Sequence, residues 1–327
     1  MRVVLHVGLQ KTASTYLQRQ VFPAARGLTF VSRPYTQAGH AFNLLQYADA
    51  SLYDPSVLEA EFQRLRDRSR GGPLLVSDEL FSGFPYYAYL NRATIAERLA
   101  AAVPDAHVVL FLRNQRDLIW SLYNQYTKLG WYSNQLDADF LYAPGSGMTP
   151  EQWFQGDRGG DRTQRFISNR SIFSIEHFRF SALLDLYERL FAHVHVFLFE
   201  DFVDDNASVL ARLSEIVGVE LPTPSPDDSS ENRSLTDRQL HRVRMAGKLS
   251  ALGLGLGSPI GRVAARVMAA AVPDRAEAGR AHIRELFQAA DLASDNRRID
   301  ADRGLGLNRH AEAYFGEPGP ANRASPE

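Results

Sequence analysis

The sequence predicts a three-layer α/β/α fold built on a central parallel sheet. Three observations carry this. Short apolar runs rich in β-branched and aromatic residues recur along the chain, helical patterns separate them, and chemically active residues cluster just after the runs. Runs of this length without polar alternation suit strands covered on both faces, as in parallel sheets. Strands alternating with helices then place helical layers on both sides.

The strand runs are Val3–Val7, Leu74–Ser77, Val108–Leu112 and Val194–Leu198. The helical patterns cover Ser14–Val21, Pro55–Arg68, Thr94–Val103, Arg116–Leu129 and Phe180–Phe191. The stretch Gly130–Phe173 mixes Gly, Pro, aromatic and charged residues and reads as a lid or acceptor-loop insert. Leu221–Ser234 is a second loop, heavy in Pro, Ser and Asp. Residues 235–315 are mainly helical, and 316–327 read as a flexible tail. Residues 1–315 are therefore expected to form a single domain with extra C-terminal helices.

The 327 residues are 45% hydrophobic and 23% charged, enough for a sizeable core. Lys and Arg number 36 against 38 Asp and Glu, a balance that weighs against nucleic acid or an anionic membrane as partner. The absence of cysteine excludes disulfides, thiolate zinc sites and Cys nucleophiles. No uninterrupted apolar run reaches the ~18 to 20 residues of a membrane span. Met245–Val272 comes closest, but Lys248, Arg262 and Arg266 interrupt it. The N-terminus, Arg2-Val3-Val4-Leu5 followed at once by a polar loop, does not read as a secretory signal, so a cytoplasmic protein is expected.

Ligands of open α/β sheets gather at the carboxyl ends of the strands. Four segments meet that condition: Gly8–Thr15, Asp78–Phe84, Arg113–Asp117 and Phe199–Phe202. In the first, a buried strand runs into Gly8, a lysine, small hydroxyl residues and a helix. Gly8 allows close backbone approach to an anion. Helix-start amides and the helix dipole attract it, and Lys11 adds a full charge. Thr12, Ser14 and Thr15 offer hydroxyl donors. Lys11 follows Gly8 by three residues and no glycine precedes it, so the Gly-x4-Gly-Lys-Ser/Thr loop of ATP-binding proteins is not present. Alone, the segment reads equally well as an ordinary strand-to-helix turn with a capping hydroxyl.

The second pattern is Arg113 followed by Ser121. Asn114 suits a helix cap and Asp117 its first turn. Ser121 lies nearly two turns past the cap, returning to the face on which the helix began. Arg113 and Ser121 can then grip one phosphate, the arginine by a bidentate fork.

Together these patterns resemble the sulfotransferase superfamily that uses 3'-phosphoadenosine 5'-phosphosulfate (PAPS). Lys11-Thr12-Ala13-Ser14-Thr15 is similar to its Lys-Thr-x-[Ser/Thr]-[Ser/Thr] strand-loop-helix, which holds the 5' phosphosulfate. Arg113 and Ser121 match the spacing of the pair that holds the 3' phosphate. Val196–Phe202 resembles the family's later strand and acidic turn, and Leu210–Val219 the helix after it. Glu231-Asn232-Arg233-Ser234-Leu235 is similar to a loop that closes over the nucleotide in bacterial members. Phe287–Tyr314 resembles their C-terminal segment.

The resemblance implies a P-loop-like sulfotransferase fold and in-line transfer of a sulfuryl group from PAPS to a hydroxyl or amine, releasing 3'-phosphoadenosine 5'-phosphate (PAP), without a metal. It implies Lys11 as the catalytic cation and Lys11, Thr12, Ala13, Ser14, Thr15, Arg113, Ser121 and Arg233 as cofactor-binding residues. An acceptor hydroxyl needs a general base. Glu79, at the carboxyl end of the second run, is the choice; Asp78 and His40 are rivals, and the competing role for either carboxylate is to pair with Lys11 or cap a turn. His6 and His195 lie inside strand patterns and are read as packing. Phe81, Phe84, Tyr86, Tyr87, Tyr89, Trp120, Tyr123, Trp131 and Tyr132 are candidate walls of a pocket for a carbohydrate, lipid-linked or small-molecule acceptor, with core packing the competing role for each. Two alternatives stay open: an ATP-dependent small-molecule kinase, and a catalytically silent nucleotide-binding relative.

Overall fold

The computed structural model describes residues 1–35, 40–85, 89–128, 175–223, 236, 238–239, 243, 259–271 and 276–316. The insert read over 130–173, the loop containing Arg233, Tyr86, Tyr87, Trp131, Tyr132 and the tail beyond 316 lie outside these residues.

Five parallel strands form one sheet: β1 (Val3–Gly8), β2 (Thr29–Ser32), β3 (Leu74–Ser77), β4 (His107–Leu112) and β5 (His193–Leu198). Their order is β2-β3-β1-β4-β5. Four are the apolar runs. β2 was not foreseen, because its four residues Thr-Phe-Val-Ser are polar at both ends and only partly buried, so no apolar run marks it. It pairs Thr29 with Leu74 and Ser32 with Ser77 at the sheet edge.

The fold is three-layered. One sheet face shows Val4, Leu75, Val109, Phe111 and Phe197. It is covered by the helical run opening with α1 (Ser14–Tyr16), and by α7 (Phe199–Asp204) and α8 (Asn206–Val217), through Leu17, Val21, Phe22, Phe202, Val209, Leu210, Leu213 and Val217. The alternate residues Leu5, Val7, Val76, Val108 and Leu110 are equally buried, which requires a second layer. α2 (Ala41–Tyr47), α3 (Pro55–Ser69), α4 (Arg92–Ala102) and α6 (Phe180–Leu190) supply it, with α3 packed on β2 and β3 and α6 on β5. α3 starts where Asp54 accepts the Ser56 amide at 2.9 Å before Pro55, and it ends on the left-handed Arg70. α2 was also unforeseen; at seven residues it is too short for a periodic signal.

The described residues group into two compact units. The first contains residues 1–113, 180–231 and 295–327, and with them the whole sheet. The second contains residues 114–179 and 232–294. In the second unit α5 (Gln115–Lys128) packs on α10 (Ala276–Ala289), with Arg280 over the Trp120 ring at 4.5 Å and Arg116 over Phe287 at 5.5 Å. α9 (Pro259–Ala271) belongs to the same unit, α11 (Leu292–Arg303) leads back into the first, and α12 (Ala311–Phe315) closes it.

β1 has β3 on one side and β4 on the other, and the order in which strands are added switches sides of the sheet there. This is the switch point at which such sheets open a crevice beyond their carboxyl ends. The segments after β1, β3 and β4 converge on it.

Candidate functional site

The chain leaves β1 through Gly8, whose φ of 109° lies where only glycine sits without strain. A Cβ at Gly8 would meet the Glu79 carbonyl oxygen at 3.1 Å, the Glu79 Cα at 3.2 Å and the Ser82 hydroxyl at 3.2 Å. Glycine is thus needed for close passage of the turn after β3. The sequence reading gave it a different reason, the approach of an anion.

Beyond Gly8 the Leu9 amide donates to the Phe111 carbonyl at 3.0 Å, tying the loop to β4. Lys11 and Ala13 both adopt left-handed conformations, with φ of 63° and 66°. Thr12 and Ser14 each donate a hydroxyl proton to the Leu9 carbonyl, at 2.6 and 3.1 Å, and both are buried. These hydroxyls brace the loop from within. Thr15 is half-buried at the helix start. Ala13 occupies the N-cap and offers no side-chain cap. The first-turn amides of a helix have no acceptor inside it, so this start keeps its capacity for an anion.

Arg113 follows β4 and is half-buried. Its Nη1 donates to the Lys11 carbonyl at 3.0 Å, and its guanidinium lies over the Phe199 ring, 4.6 Å from the centroid. Arg113 is thereby tied to the main chain of Lys11, 102 residues away in sequence. In the second unit the Asn114 Oδ1 accepts the Asp117 amide at 3.0 Å, capping α5 as its sequence predicts. Ser121 is buried on that helix.

The turn after β3 carries both candidate carboxylates. Asp78 is fully buried. Its Oδ1 accepts the Leu80 amide at 2.9 Å and its Oδ2 the Gln46 side chain at 2.8 Å. Burial pushes its carboxyl up to about 6, Arg33 opposes that rise, and the neighbouring Glu79 adds to it. Glu79 is the accessible member, its side chain 21% exposed. Gln18 donates to its Oε2 at 3.2 Å and Arg33 to its Oε1 at 2.6 Å. Arg33 is the cation that faces both carboxylates, a residue that the sequence analysis does not single out. It directly follows the unforeseen β2, and no motif marked it.

His6 is buried on β1, its Nδ1 2.7 Å from the Ser77 hydroxyl and its ring edge-on to Phe22 and Phe111. Burial lowers its pKa to about 4, against the pull of Glu79. It packs, as its strand position suggests. His195 likewise lies in β5, its Nε2 3.0 Å from the His107 Nδ1. His40 caps α2, accepting the Phe42 amide at 3.3 Å, and stacks on Tyr35. Among the pocket-wall aromatics, Phe81 and Tyr89 are buried, Phe81 beside Phe42 and Tyr89 beneath the Arg92 guanidinium. Trp120 and Tyr123 contact each other in the second unit, ring centroids 5.1 Å apart.

No protein-family model and no curated protein matches the chain. Among solved structures it is similar to a sulfotransferase from Alicyclobacillus acidocaldarius, with 18% identity over 77% of this chain and 93% of that one, at a TM-score of 0.42.

Proposed function

We propose that the chain is a sulfotransferase that moves a sulfuryl group from PAPS to a hydroxyl or amine of a carbohydrate, lipid-linked or small-molecule acceptor. The observation that carries this reading is the hydrogen bond from Arg113 to the Lys11 carbonyl. It joins Arg113 to the backbone of the loop that carries Lys11, and the sequence resemblance assigns these two residues to the two phosphate ends of one nucleotide. The uncapped helix start after Ala13 fits the 5' end of such a ligand.

PAPS, when bound, supplies an activated sulfuryl group with PAP as its leaving group. The reaction resembles phosphoryl transfer in requiring positioning and charge stabilisation more than covalent chemistry. Lys11 neutralises the charge that grows on the leaving side. Thr12 and Ser14, bonded to the Leu9 carbonyl, hold the loop in the shape that aims the amides at Ala13–Thr15. The sequence resemblance assigns Arg113 and Ser121 to the 3' phosphate and Arg233 to the loop over the nucleotide. Glu79 takes the proton of an acceptor hydroxyl. Among the two carboxylates it is the accessible one, whereas Asp78 is buried and committed as a turn cap.

The test is an acceptor screen with PAPS carrying a labelled sulfuryl group. Label appearing on a hydroxyl or amine compound supports the reading. Phosphorylation of the same panel from magnesium-ATP, with no label transferred from PAPS, sinks it in favour of the kinase.

A further inference from the structure

We infer that Arg33 is the positioning residue of the acceptor base, a single guanidinium edge shared between a buried anchor, Asp78, and a reactive carboxylate, Glu79. This rests on the sulfotransferase reading for the chemistry, but the geometry stands apart from it. Arg33 Nε lies 2.8 Å from Asp78 Oδ1 and Nη2 lies 2.6 Å from Glu79 Oε1. These two nitrogens form the edge with which an arginine usually grips one carboxylate in a bidentate fork. Here Nη2 donates a hydrogen bond to Glu79, while Nε faces Asp78 as an ion pair without hydrogen-bond geometry.

The arrangement has a direction. Asp78 cannot move: its side chain is 0% exposed and held by Gln46 and the Leu80 amide. It therefore fixes the guanidinium. The guanidinium, 35% exposed on its side chain, in turn fixes Glu79 at the rim of the crevice. Gln18 holds the other Glu79 oxygen and also donates to the Ser77 hydroxyl at 3.0 Å, so one oxygen of the base is tied to the residue after β2 and the other, through Gln18, to the end of β3. Register puts Arg33 there. Ser32 pairs with Ser77, so the residues that follow each strand, Arg33 and Asp78, emerge side by side. The ionisable groups facing Arg33 are Asp78, Glu79, Tyr35 and Tyr47, and His6 feels Glu79 through the sheet. A lysine could neutralise one carboxylate at this place but could not span both in a plane.

The experiment compares wild type with Arg33→Gln and Arg33→Lys by three readouts: PAP-induced thermal shift, sulfuryl-transfer rate, and the carboxyl titration of Asp78 followed by ¹³C NMR. Arg33→Gln should keep the PAP shift and lose about 100-fold in kcat, the cost of a misplaced catalytic group. Its Asp78 titration should move up by about one pH unit or more, since an opposing charge at this distance is removed. Arg33→Lys should return that titration toward wild type while recovering less than about a tenth of the rate, because it restores charge without the fork. Wild-type rate in either variant, or an unmoved Asp78 titration in Arg33→Gln, overturns the inference. If Arg33→Gln does not fold, the rate of Arg33→Lys decides it. Failure of the sulfotransferase reading is distinguishable: wild type itself would then show neither PAP shift nor transfer, while the titration would still test the shared edge.

Discussion

Arg113 Nη1 donates to the main-chain oxygen of Lys11 at 3.0 Å, while its guanidinium rests on the Phe199 ring. One donor of the arginine thus shapes the loop that carries the lysine. Replacing Arg113 with lysine keeps a charge but removes the planar fork and the ring contact. Arg113→Lys should weaken PAP by at least about tenfold, measured by calorimetry, as one charge-assisted hydrogen bond is worth about 1.5–3 kcal/mol. Affinity equal to wild type would show that Arg113 only braces the loop.

Lys11 is expected to act on the transition state more than on binding. Lys11→Ala should lower kcat by about 10²–10³-fold, comparable to deleting one preorganised charge-stabilising group. Single-turnover kinetics with saturating PAPS would measure this. An unchanged rate with a true acceptor removes Lys11 from the chemistry.

Glu79→Gln preserves shape and one acceptor oxygen, turns the other oxygen into a donor NH2, and cannot accept a proton as a base does. Transfer to a hydroxyl should fall by about 10²–10⁴-fold while PAP binding is spared. Full activity in this variant moves the base elsewhere.

At Gly8, any side chain meets the Glu79 backbone and the Ser82 hydroxyl at 3.1–3.2 Å, in a conformation with φ of 109°. Gly8→Ala should cost more than about 1 kcal/mol, because the native conformation is incompatible with the new residue. A thermal melt would read this as a fall of several degrees; an unchanged Tm would mean that the turn after β3 can retreat.

The buried groups give a pH dependence with opposed parts. His6 is lowered from 6.5 to about 4, so its stabilisation is present above pH 6.5 and lost as pH falls toward 4. Full burial makes this worth up to roughly 3 kcal/mol. Asp78 is raised from 3.8 to about 6, so its contribution is present below 3.8 and lost as pH rises through about 6. In wild type the two partly offset each other. His6→Gln removes the first and leaves the second, so the gain in Tm from pH 4.5 to 6.5 should shrink in this variant. An identical pH dependence would assign the acid lability to other groups.

The sheet was largely legible because four of its strands are apolar runs, three of them buried on both faces, a pattern that needs no tertiary information. β2 and α2 were not legible, β2 because its four residues are polar at both ends and only partly buried, α2 because seven residues are too few for a periodic signal. Lys11 and Arg113 stood out because each follows a strand at a spacing with chemical meaning. Arg33 did not, since its importance arises from the register of an edge strand against β3. The same is true of Gly8, whose close neighbour is the turn after β3, 71 residues on. Local pattern reveals elements and loops; which side chains meet across strands depends on order and register, which a single sequence does not display.

The most direct test of the central claim is a metal-free titration of the wild-type chain with PAP, followed by thermal shift alongside magnesium-ATP. The account predicts that PAP alone raises Tm by several degrees, as a ligand at about 100 times its Kd adds roughly 2.7 kcal/mol. Stabilisation by magnesium-ATP with none by PAP would contradict it.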